Sequence, residues 1–89
     1  MYVGSFEWDD QNLEHIGRHG VRDHEVEEVI LFDKPLYLRG SGDKYYAYGI
    51  TEEGRYLFTV FVYKSGGAIR VITARDMSRK EKAYYKNRR

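Results

Sequence analysis

The sequence predicts an α+β domain: two N-terminal helices, a small antiparallel sheet of three to four strands, and a C-terminal helix. Three observations predict it. Apolar residues recur at helical spacing behind acidic caps before residue 33, the period shifts to two between residues 44 and 75, and a Ser/Glu capping pair follows at 78 and 81. With 89 residues, one proline, 33% charged and 42% hydrophobic side chains, the chain suits one small folded unit spanning 1–89 rather than a disordered one.

In chain order, Phe6 and Trp8 alternate with polar neighbours and suit a short first strand. Asp9 or Asp10 then caps a helix running to about Arg18, with Leu13 and Ile16 as its apolar face and Gly20 as its stop. Asp23 opens a second helix, where Glu25, Glu27 and Glu28 favour the positive end of the helix dipole and Val26, Val29 and Ile30 form the buried stripe; Pro35 ends it. Segments 44–50, 55–64 and 68–75 read as strands joined by the Gly-containing turns TEEG and SGG, which favour consecutive antiparallel hairpins. Both faces of the middle strand are apolar, with Tyr56, Phe58, Val60 and Val62 on one and Leu57, Phe61 and Tyr63 on the other, so it is predicted to be central and covered on both sides. On simple alternation, residues 69, 71, 73 and 75 share the core face, with Arg75 at its rim. Ser78 and Glu81 start the last helix, whose few apolar residues predict weak packing.

Composition narrows the function classes. The absence of cysteine excludes a disulfide framework, a thiolate zinc site and a Cys nucleophile. No apolar stretch approaches the roughly 18 residues that span a bilayer, and no secretion signal is visible, so a cytoplasmic location without membrane contact is expected. A near-even balance of 15 basic and 14 acidic residues conceals an asymmetry: residues 1–33 hold nine acids and two bases, and residues 34–89 hold thirteen bases and five acids. The basic half suits a polyanion.

Candidate chemistry rests on His, Arg, Glu and Tyr. His15 and His19 lie four apart on one helix face, a spacing open to a metal, to a proton carrier or to an ordinary surface pair. Arg55 and Arg75 sit at strand ends, where a guanidinium pairs with a phosphate or with a carboxylate such as Asp76 or Glu81. Nine tyrosines suit interfaces or base stacking, and Tyr85 lies four residues after Glu81. No metal or other cofactor is called for. Arg70, Arg79, Lys80, Lys82 and Lys86 form a basic surface that suits a polyanion, although charge alone does not make it a nucleic-acid site.

The segments FEWD (6–9), RHGV (18–21), EGRYL (53–57), ITARDMS (72–78) and RKEKAYY (79–85) together resemble the BrnT-like toxins of bacterial type II toxin–antitoxin systems. The resemblance spans nearly the whole chain and places Trp8, Asp9, His19, Gly20, Arg55, Arg75, Ser78, Glu81 and Tyr85 on matching motif positions; Asn12 and His15 depart from the pattern of many members. It implies a RelE-like fold, a metal-independent endoribonuclease that arrests translation, and a small antitoxin that neutralises it and represses the shared promoter. DNA contact would then be indirect, through the antitoxin. Metal-free RNA cleavage needs a base for the 2′-hydroxyl, cations for the phosphorane and an acid for the leaving oxygen. Arg55 and Arg75 are the expected cations, and His19, Glu81 and Tyr85 the expected proton carriers. The competing expectations are a non-catalytic partner of a DNA-binding antitoxin, a metalloenzyme using His15, His19 and Asp23, and direct duplex DNA binding.

Overall fold

A computed structural model describes residues 1–32 and 34–88; Asp33 and Arg89, counted in the charge totals above, lie outside the described residues. The order is β1 (Ser5–Glu7), α1 (Asp10–Gly17), α2 (Asp23–Phe32), β2 (Leu36–Arg39), β3 (Lys44–Ile50), β4 (Tyr56–Lys64), a short 3-10 turn (Ser65–Gly67), β5 (Ala68–Asp76) and α3 (Arg79–Asn87). No helix among the described residues is long and apolar enough to cross a membrane.

The strands form one five-stranded sheet in the order β1-β5-β4-β3-β2. This corrects the expected three to four strands. The extra strand, β2, pairs Leu36 with Tyr48 and Arg39 with Tyr45; its run LYL does not alternate, so period two could not reveal it. The sheet is also mixed rather than wholly antiparallel, because β1 runs parallel to β5 with Phe6 opposite Ile69. Helices α1 and α2 intervene between these strands and supply the long crossover that parallel pairing requires.

Strand β4 is central, as its two apolar faces predict. One face, with Ala47, Leu57, Phe61, Ile69, Val71 and Ala74, packs under Ile16, Val26, Val29 and Ile30 of α1 and α2. The other carries Tyr48 and Phe58 and is covered in part by Met77 and Tyr85. Leu13, expected in the buried face of α1, is 37% exposed, and Asn12 takes its place at 3%. Asn12 completes a capping box with Asp9 and donates to the carbonyls of Glu7 (2.8 Å) and Val71 (3.1 Å), joining α1 to both β1 and β5.

A bulge in β5 decides which way the arginine at its end faces. Val60 lies opposite Thr73 and Phe61 opposite Val71, leaving Ile72 without an opposite residue. One extra residue inverts alternation beyond it. Thr73 and Arg75 therefore lie on the α3 face, opposite Val60 and Phe58, and not with Ile69 and Val71 as simple alternation predicts. Asp76, opposite Leu57, points to the α1–α2 side instead.

Candidate functional site

Two arginine clusters stand on opposite sides of the sheet end. On the α3 side, the Arg75 guanidinium stacks 4.5 Å from the Phe58 ring centre and donates to both carboxylate oxygens of Glu81 at 2.8 and 3.0 Å. Glu81 is held by its place in the α3 capping box: the Ser78 amide donates to it at 2.8 Å while Ser78 Oγ accepts from the Glu81 amide. The Arg75 guanidinium, with help from Ser78, holds the Glu81 carboxyl below the usual carboxylate range, and Glu81 in turn raises Arg75. The site is half open, with side-chain exposures of 39% for Arg75 and 20% for Glu81.

Tyr85 follows one turn later on α3 but is 1% exposed, with its ring edge-on to Tyr56 at 6.0 Å. This buried ring anchors α3 to the sheet, beside Met77 just ahead of the helix. Nearby, Tyr48 makes ring contacts with Phe58 (5.0 Å) and Tyr84 (5.6 Å); burial first, and then the Glu81 charge, raise its phenol.

On the α1–α2 side, Arg55 is fully engaged. It donates to Asp76 at 2.7 Å, to Glu25 at 3.1 Å, and to the carbonyls of Gly20 (2.8 Å) and His19 (3.3 Å). The guanidinium thereby ties the RHGV loop and the start of α2 to the ends of β4 and β5. Asp76 is lowered by Arg55, and Arg55 is raised by Asp76 first and Glu25 after it. Gly20 suits the loop because its φ of +69° lies where side chains are strained.

His19 reaches this second cluster through its carbonyl, while its side chain is exposed and faces His15 at 5.9 Å between ring centres. The structure thus brings Arg75, Glu81 and Tyr85 together and Arg55 with the His19 loop, on opposite faces of the sheet. No three His, Cys, Asp or Glu side chains converge to hold a metal among the described residues.

Of the expected RNA-binding residues, Arg70 pairs with Asp9 at 2.9 Å, and Lys82 and Lys86 lie over the Tyr56 ring at 5.4 and 5.3 Å. Arg79 and Lys80 are exposed in the first turn of α3. A cleft of about 470 Å³ lies between α1 and α2, lined by Leu13, Ile16, Val21 and His24, and holds neither Arg75 nor Glu81. Sequence reasoning missed two participants. Glu25 reads as a dipole-complementing acid, yet it is an Arg55 partner; nothing local signals that contact across 30 residues. Asn12 could have been found, because Asp9 and Asn12 stand at capping-box spacing.

No curated protein matches the chain. A family model described as "Ribonuclease toxin, BrnT, of type II toxin-antitoxin system" matches residues 8–81. That match covers most of the 89 residues, and the chain belongs to this family.

Proposed function

From that membership, we propose that the protein is a metal-independent endoribonuclease that arrests translation in the cytoplasm until a small DNA-binding antitoxin neutralises it. The single observation that best supports this reading is the half-open Arg75–Glu81 pair at the end of the sheet. The fork that a carboxylate fills here is also the geometry in which a guanidinium takes a phosphate, and the exposure of Arg75 leaves it within reach of one. When the scissile phosphate takes Arg75, Glu81 loses the partner that lowers it, and its pKa rises toward the ordinary carboxylate value. Glu81 then takes the proton of the 2′-hydroxyl. The 2′-oxygen attacks phosphorus, Arg75 stabilises the phosphorane, and the bond to the 5′-oxygen breaks as that oxygen takes up a proton. The products carry a 2′,3′-cyclic phosphate and a 5′-hydroxyl.

In this reading Arg55 acts through the loop it clamps, on the opposite face of the sheet from Arg75. The acid is His19, exposed but across the sheet from Arg75, or Tyr85, on the Arg75 face but buried. Loss of cleavage in His19→Gln at an unchanged melting temperature assigns it to His19, and loss in Tyr85→Phe alone assigns it to Tyr85. Arg70, Arg79, Lys80, Lys82 and Lys86 guide the RNA, and DNA is reached only through the antitoxin.

One observation favours a non-catalytic role as the antitoxin's partner: Glu81 already occupies both arms of Arg75. Arg75→Ala separates the two readings. Loss of RNA cleavage and of growth arrest, with an unchanged melting temperature, supports the nuclease; unchanged arrest removes Arg75 from the site. Activity that survives a chelator supports metal independence.

A further inference from the structure

The sheet face that α3 leaves half covered is ordered in three rows of opposed residues: Tyr48–Phe58–Arg75, Tyr46–Val60–Thr73 and Lys44–Val62–Arg70. The bulge at Ile72 is what brings Arg75 and Arg70 to this same face, one at each end. Rows two residues apart along a strand are separated by about 7 Å, on the scale of one nucleotide step in an extended chain. A half-buried apolar row, with Leu38 of β2 beside Tyr46 at its head, therefore stands between the Arg75 row and a row that holds Lys44 and Arg70 and runs on to Glu7 of β1.

The Tyr46 ring is held in place. It contacts Phe58 at 5.2 Å between centres with the planes tilted by 55°, and it lies against Gly40, where an added Cβ would sit 2.8 Å from ring atom Cε1 and 3.1 Å from the Lys44 carbonyl; the residue is half-buried. Only glycine leaves the ring that room. An immobilised aromatic with Lys44 in one flanking row, and with Arg70 and Arg75 held by Asp9 and Glu81 as cations that a phosphate can take over, matches an unpaired base with its neighbouring phosphates better than an apolar protein segment, which gains nothing from the cations.

We propose that Tyr46 is a base-stacking platform that selects single-stranded RNA and sets one nucleotide of the substrate against the Arg75 site. The proposal rests on the ribonuclease reading and adds to it a positioning residue remote from the bond that breaks.

The test measures binding of a single-stranded 2′-O-methyl RNA oligonucleotide, which lacks the attacking hydroxyl, by fluorescence anisotropy, beside cleavage of the unmodified strand. Tyr46→Phe keeps the ring and is expected within about twofold of the unaltered protein, whereas Tyr46→Leu, which keeps apolar cover without a π face, is expected to weaken binding about 5- to 50-fold. The same oligonucleotide annealed to its complement should bind more weakly than the single strand. If Tyr46→Leu does not fold, Gly40→Ala displaces the ring by a separate route and should give the same loss. Equal affinity of the Leu variant and the unaltered protein, or equal affinity for duplex and single strand, overturns the proposal. So does a Leu variant that keeps RNA affinity but releases a co-expressed antitoxin, which would make this face a protein dock. Binding that follows the ring with no cut of unmodified RNA keeps the platform and sinks the ribonuclease reading; cleavage indifferent to Tyr46 does the reverse.

Discussion

Arg55→Met should destabilise the protein by about 3 kcal/mol, because this guanidinium is the clamp between the α1–α2 loop and the sheet. The substitution keeps the side-chain stem and removes six donor contacts to two carboxylates and two carbonyls. Their weights differ. Asp76 is 64% exposed and recovers water, so its share is that of a surface pair, about 0.2–1 kcal/mol. Glu25 is 17% exposed and keeps the Arg22 amide as a donor, so stranding it contributes about 1.5 kcal/mol. The two carbonyls add about 0.5 kcal/mol each, since both sit in an exposed loop. For a domain of this size the total lowers Tm by about 12–24 °C in a calorimetric or circular-dichroism melt. In a Glu25→Gln background the same change should be milder by about 1 kcal/mol, as coupled partners require. A Tm loss under about 3 °C, or full additivity in the double variant, would refute the clamp.

Three further outcomes follow from the same geometry. Asp9, Asp76 and Glu81 are each held below their ordinary carboxylate values, by Arg70, Arg55 and Arg75 respectively. A folded-state pKa below the unfolded one adds stability above the unfolded value and loses it as pH falls through the folded value. Tm should therefore be level from pH 7 to about 5 and fall below about 4, with a shallower fall in Glu81→Gln, as melts across pH will show. Asn12→Ala removes a capping-box partner and strands the buried Val71 carbonyl; urea denaturation should report a loss of about 2–4 kcal/mol, although the residue is polar and in a helix. Gly67→Ala should destabilise by at least about 1–2 kcal/mol, since φ is +79° and a Cβ would lie 2.6 Å from the Tyr2 ring and 2.8 Å from the Gly4 amide nitrogen, whereas Gly17→Ala, with open space in α1, should be neutral or stabilising by thermal melt.

Much of this architecture is legible in local patterns. The caps at Asp9 and Ser78, the buried stripe of α2, the two glycine turns and the central position of β4 all follow from short-range rules, and the bounds of β3 match residue for residue. What escaped depends on pairing between distant segments. Strand β2 has no alternation of its own and exists because β3 offers it an edge. The parallel pairing of β1 is set by β5, sixty residues away. The bulge at Ile72 leaves no mark in the run AIRVITAR, yet it moves Arg75 to the other face and so decides which side chains it meets. Sequence spacing brought Arg75, Glu81 and Tyr85 to one rim, and the fold adds that Glu81 fills Arg75 while Tyr85 is buried. Arg55 belongs to a different cluster because its partners come from α2 and β5, which spacing alone could not join.

The central claim, that Arg75 is the phosphate-binding cation of a ribonuclease, is tested most directly by incubating purified protein with single-stranded RNA and determining the new ends. The account predicts 2′,3′-cyclic phosphate termini from the unaltered protein and intact RNA from Arg75→Ala at an unchanged melting temperature. Equal cleavage by both proteins would contradict it.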